Sequence, residues 1–439
     1  MAYQVKTTQS YGKRLGNSLK GVVSGFLMFI IGTILLFWNE GNYVKTKNSI
    51  NEAQSVVVKV DDVSSLNADL NGKLVYGVSK ALTNDILTDA LFDVSVNAVK
   101  LSRKVEYYQW KESSKSETRD KIGGGQETIT TYDYKKEWTS SPENSSSFAD
   151  PSYQGANKVL TTIEDKTQVA NHVSWGAYAL PSFIKNAISG NTPVNIQLSE
   201  ESKAAWRKTL AIPEVQAPAQ TASQTAAQDD LFSMGSTTTT TTTAPVAEYI
   251  HVSGNTVYLG ENPSVPAIGD VRVSLSYTPP GGDLSVIAQV QGDTFTQYVA
   301  KNGKSFSSVQ NGVVSAEQMF ESEHSANSMI TWILRLVGLF LVMGGLKSMF
   351  SILPAIFKVL PFLGNVVGAG VSLVCSVVGF VWAFLIVAIS WMFYRPLIGI
   401  LFLVLAIAGI WFLNKKAKEK KAAAAASAPA PPVPPAEIV

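Results

Sequence analysis

Eighteen consecutive residues without a charge, GVVSGFLMFIIGTILLFW (21–38), settle the class of this chain before anything else is read. A helix of about 20 apolar residues crosses the hydrocarbon core of a bilayer and satisfies its backbone internally. Lys20 closes the run at one end and Trp38 at the other, where tryptophan collects at membrane interfaces. A cleaved signal peptide would end in a small-residue site, whereas this run continues into WNEGNY and reads as a retained anchor. Three further runs follow: 329–346, interrupted by Arg335 and closed by Lys347; 366–394, without a charge; and 397–413, followed by NKKAKEKK. Only Arg395 and Pro396 separate the last two, and proline both ends helices and starts them. Residues 347–365, with Pro354, Lys358 and Pro361, read as a cytoplasmic or interfacial loop. The expected fold is a multi-pass membrane protein. Four transmembrane α-helices carry a large β-rich (α+β) extracytoplasmic domain, 39–326, inserted between helices 1 and 2.

Charge gives the expected sidedness. Residues 1–20 hold four basic side chains and no acidic one, and the chain after Ala326 holds nine basic and two acidic. The middle is left with 23 basic and 32 acidic residues, a net of −9. Lysine and arginine are retained on the cytoplasmic side, so both termini are expected there, including the basic and then Ala/Pro-rich tail 414–439. The only cysteine, Cys375, lies in an apolar run, so no disulfide staples the middle block and no thiolate metal site exists. At nearly 290 residues that block is long enough to bury its own core.

Within it, KLVYGVSKAL, LFDVSVNAVKLSRKVEYYQW and TITTYDYKKEW are rich in valine and aromatics and predict strands. SETRDKIGGGQE serves as a long hairpin tip, EYIHVSGNTVYLG as a hairpin, and DVRVSLSY as an alternating strand. YALPSFIKNAIS predicts a short helix. From about 217 to 247 the composition collapses to alanine, glutamine and seven consecutive threonines, which reads as a disordered insertion. Ser315 and Gln318 form a capping box, and no proline follows until Pro354, so one helix is expected to run from the domain through the second span.

Arg335 sits about 9 Å inside its apolar run at 1.5 Å per residue, and it enters from the domain side. Glu40 and Arg395 fall at the same end of their spans, so all three charges are expected at similar depth. Arg335 either snorkels to the headgroups, pairs with Glu40 to fasten the first two spans, or takes part in conduction. Conduction would need a chain of titratable partners that the spans lack.

Gly21, Gly25 and Gly32, with Gly364 and Gly368, permit close helix contact within the molecule or between copies. Tyr107, Tyr108 and Trp110, beside Tyr132 and Trp138, mark an aromatic sheet face that serves either as core or as a binding surface. His172, His251 and His324 are scattered, NGKS (302–305) lacks the upstream glycine of a phosphate loop, and no nucleophile–base pair appears. No catalytic residue, cofactor, metal or nucleic acid is expected. The lysines 415–421 either attract anionic lipid or serve orientation alone.

NEG (39–41), KLSRKVEYYQW (100–110), YDYKKEW (132–138), GDVRVSLSY (269–277), SAEQMFESEHSANSMITWILRLVG (315–338) and FYRP (393–396) occur in the order of one family. Through them the chain resembles the transmembrane protein 43 (LUMA) family. That resemblance implies a non-enzymatic, self-associating four-pass scaffold that organises membrane or envelope complexes. In animal members this means the inner nuclear membrane and endoplasmic reticulum, with lamins and emerin as partners. The short N-terminus and low-complexity segments favour a bacterial inner membrane, where partners would be other envelope proteins. A channel or transporter and a membrane-bound enzyme are the alternatives. The third span offers a channel only Ser372, Ser376 and Ser390 as polar lining.

Overall fold

The structure is a computed structural model that describes residues 3–210 and 248–395, with Val404. Apart from Val404, the expected insertion at about 217–247, the fourth span 397–413 and the tail 414–439 lie outside the described residues. Six helices are described: α1 (Tyr11–Val56), α2 (Ser182–Ala187), α3 (Glu200–Thr209), α4 (Ala316–Met349), α5 (Ile352–Phe357) and α6 (Pro361–Tyr394). Three of the long segments are apolar enough to cross a membrane.

Helices α1 and α4 outrun their apolar runs because nothing in the sequence stops them there. Ser10 caps α1 by accepting from the Lys13 amide, and no proline interrupts the helix before Val56. The Ser315 and Gln318 capping box opens α4. Pro361 starts α6, and Pro396 follows its last residues. The loop expected at 347–365 contains α5 and the first turn of α6. Residues 55–60, SVVVKV, are valine-rich but form only the short strand Val58–Lys59, because α1 continues through Val56.

The β-rich part contains two main sheets. The first is antiparallel, with strands in the order Tyr3–Gln9, Gln126–Thr139, Lys100–Asp120, Val271–Thr278, Thr256–Leu259 and Ile250–Ser253. The second pairs Leu74–Leu82 with Asp283–Gln291, which also pairs with Ser308–Asn311. Leu101, Val105, Val257, Val273 and Leu275 alternate onto one face of the first sheet and bury with Phe92 and Trp206. Val75, Trp175, Tyr178, Val286 and Phe295 fill the second core. Each such side chain contributes about 1.5–3 kcal/mol on leaving water.

A third core joins domain to helices. Ile50 and Ala53 of α1 and Met319 and Phe320 of α4 are buried against Leu74, Tyr76, Ile287 and Phe306. Both helices therefore run from inside the domain core into their apolar segments without a hinge.

One feature corrects the separation of 1–20 from 39–326. The hairpin formed by strands Lys100–Asp120 and Gln126–Thr139 extends well past the domain, and Tyr3–Gln9 pairs with its far end, from Tyr3 opposite Tyr132 to Gln9 opposite Gln126. At the tip, Asp120 receives Arg14 at 2.7 Å and Lys358 at 3.1 Å, with Arg14 and Asp120 both largely buried. The Gly123 amide donates to the Val359 carbonyl at 3.0 Å, and the Tyr11 hydroxyl donates to the Ile356 carbonyl at 3.2 Å. Sequence pattern missed this contact because YQVKTTQ is too polar to announce a strand and its partner lies more than a hundred residues away.

Burial pushes the Asp120 carboxyl up, and hydrogen bonds and charge from Lys358 and Arg14 more than reverse it, leaving it below the usual carboxylate range. A depressed carboxylate stabilises the fold above its unfolded value, about 4, and loses that contribution as pH falls through the folded value. The tip contact is therefore expected to persist from neutral pH down to about 4 and to loosen below it. Hydrogen-exchange protection factors for amides 3–9 measure this; protection already lost at pH 6 would contradict it.

Candidate functional site

Helix spacing brings one charged residue from each of the first two spans to the same point. Glu40 lies two residues past Trp38, wholly buried. The Arg335 Nε donates to its Oε1 at 2.6 Å and Nη2 to its Oε2 at 2.9 Å. Trp391 of α6 adds an indole N–H to Oε2 at 2.8 Å. The Arg335 guanidinium also stands 4.7 Å from the Trp332 ring centroid. One carboxylate thus joins α1, α4 and α6. In hydrocarbon an isolated charge is expensive, but this pair is bidentate and its second oxygen is shared with an indole donor.

Arg395 lies near this cluster without touching the carboxylate. Its guanidinium stands 4.8 Å from the Tyr43 ring and 5.3 Å from Trp391, so it braces the indole that braces Glu40. Stacking of this kind contributes about 0.5–2 kcal/mol, so Arg395→Ala is expected to lower stability within that range. Thermal unfolding of the detergent-solubilised protein is the readout. Beside Glu40, the buried Asn39 donates to the Thr331 carbonyl at 3.1 Å, while its Oδ1 has no hydrogen-bond partner among the described residues.

The glycines act below this junction. A Cβ on Gly25 would meet the Gly345 carbonyl oxygen at 2.6 Å and the Met349 nitrogen at 2.7 Å; on Gly32 it would meet Leu341 and Gly338 at 2.9–3.0 Å. Gly21 has ordinary contacts of 3.4 Å with Ser348 and Ser351. These three face α4 or its C-terminal turn within the same molecule. Gly364 and Gly368 face Lys358 and Pro354. Gly338 and Gly345 on α4 are partners that span-by-span reading did not single out.

Strand alternation divides the expected aromatic face. Tyr107 points into the core, with its hydroxyl donating to the Ile163 carbonyl and accepting from the Ile163 amide, so it does not belong to the exposed face. Tyr108 and Trp138 sit on the opposite face with centroids 5.2 Å apart. Arg272, paired with Glu106 at 2.7 Å, stacks 4.4 Å from Trp138. Trp110 shares that face but is covered by Tyr153 at 4.8 Å. Tyr132 lies farther out against Tyr3. Where Tyr134 approaches Tyr153, burial and the Glu112 hydrogen bond push its phenol up to about 12.

His172 pairs with Asp85, and His251 contacts the Glu261 carbonyl; among the described residues no group of three His, Cys, Asp or Glu is placed to hold a metal. NGKS forms a turn seated on α1: Asn302 donates to the Lys45 carbonyl at 2.7 Å, and Lys304 to Asn42 at 2.6 Å.

A family model described as transmembrane protein 43 matches residues 107–396. The chain is 29% identical to transmembrane protein 43 of Homo sapiens over 419 residues, 93% of each chain. It is 29% identical to the Mus musculus protein of the same name, over 91% of this chain and 90% of that one. A Drosophila melanogaster homolog is 26% identical over 88% of this chain and 93% of its own length. No solved structure matches.

Proposed function

The chain belongs to the transmembrane protein 43 family, and on that premise we propose that it is a non-enzymatic membrane scaffold. In this reading the β-rich domain sits between the first two of four spans, on the face opposite both termini. The protein self-associates and holds other envelope proteins through that domain. One observation carries the reading: α1 and α4 are continuous from the domain core to the membrane segments and are pinned at the crossing by Glu40, Arg335 and Trp391. A domain fixed in this way transmits position and load rather than swinging freely, which suits an assembly module. The half-buried Tyr108, Trp138 and Arg272 patch supplies aromatic and arginine side chains of the type enriched at protein interfaces.

Crosslinking in the native membrane, followed by mass spectrometry, tests this. Crosslinks between copies, together with recurrent neighbours on the domain, are expected. A solitary monomer without associates would end the proposal.

A further inference from the structure

We infer that the extended hairpin and the N-terminal strand traverse the depth of the apolar helices in water, as one wall of a hydrated passage beside the bundle. The lengths require it. The apolar run 21–38 rises about 27 Å at 1.5 Å per residue. A strand covers that in about eight residues. Trp110 is still packed on the domain through Tyr153, whereas Asp120 is tied to Arg14 and Lys358 at the opposite ends of the helices. The stretch between them lies level with the apolar run.

Its chemistry excludes lipid. KESSKSETR (111–119) and ETITTYDYKK (127–136) carry five basic and four acidic residues and one aliphatic, Ile129. Lys111, Lys115 and Glu117 are more than half exposed. Among the described residues, the strand Lys100–Asp120 has no backbone partner on its outer edge beyond Trp110, whose N–H and C=O are taken by Asn157, and Tyr3–Gln9 has none on its outer edge. Each backbone group left unpaired in hydrocarbon would cost several kcal/mol.

The bundle demands the reverse. Val23, Phe26, Leu27, Ile31, Ile34, Phe380 and Phe384 are exposed, and only lipid or another apolar surface suits them. One molecule surrounded by lipid cannot satisfy both surfaces. Neighbouring copies that screen the ribbon from lipid can, so this inference rests on the self-association proposed above. Mixed charge along the ribbon suits water and small hydrated ions of either sign.

The experiment uses the full chain with Cys375→Ser, in sealed native membranes. Thr7→Cys with Thr128→Cys, directly opposite across the two strands, is expected to form a disulfide under mild oxidation. Single cysteines at Ser114 and Ser116 are expected to react with an impermeant thiol reagent from both faces. Absence of the disulfide, or labelling from one face only or from neither, would overturn the passage. The crosslinking of copies is read separately: a wet ribbon on a monomer would remove self-association and the screening by copies with it, and a dry or unpaired ribbon in an oligomer would remove the passage alone.

Discussion

Glu40→Gln is expected to destabilise the protein by up to about 3–5 kcal/mol, because it leaves the partly buried Arg335 guanidinium beside a neutral amide. The cost falls on three helices at once, since Trp391 donates to the same carboxylate. Adding Arg335→Met should recover much of that loss, because two apolar or neutral groups impose no uncompensated charge. Thermal unfolding in detergent, read for both single variants and the double, measures the coupling. Additive losses would mean that the pair contributes nothing as a pair. Arg395→Ala, which removes a guanidinium standing against the Tyr43 and Trp391 rings, provides the contrast within the same cluster.

Gly25→Leu should separate α1 from α4. Even a methyl group there meets backbone at 2.6–2.7 Å, which no side-chain rotation relieves. Overpacking at adjustable sites costs about 1–3 kcal/mol, and a leucine against backbone should exceed that range and lower the yield of folded protein. Gly21→Ala, with neighbours at 3.4 Å, and Gly16→Ala, with nothing within 4 Å, should both fold normally. If Gly25→Leu melted with the unsubstituted protein, the close crossing of the two helices would be wrong.

The helices were the most legible part of this chain, because an uncharged run of eighteen residues has few other fates. The similar depth of Arg335 and Glu40 was readable for a related reason, since depth along a helix is linear in residue number, but counting left pairing and snorkelling both open. Counting fails where geometry depends on distant pairing. Tyr107 and Tyr108 look alike in sequence, and only the register against Val271 and Thr139 shows that the first is core. Trp391 as a third ligand of Glu40 depends on how α6 crosses α1 and α4, which span-by-span hydropathy does not carry.

The hairpin shows the same limit most clearly. Its strands were legible from valine and aromatic content near the domain, and its tip from three glycines. Its reach was not, because the outer half is held by Tyr3–Gln9 and by Asp120 meeting Arg14 and Lys358. Charge patterning assigned those partners to different compartments, and pairing brings them together. Helix α3, capped by Ser199 and buried through Trp206, also went unread, since half of SEESKAAWRK is charged and it shows only one strongly apolar anchor.

The placement of the domain, the ribbon and the tail depends on sidedness. A compartment reporter inserted in the domain loop 140–144 and a second at the C-terminus should report opposite faces of the membrane. Both signals from one face would contradict it, because the bundle would then not separate the domain from the lysine-rich tail.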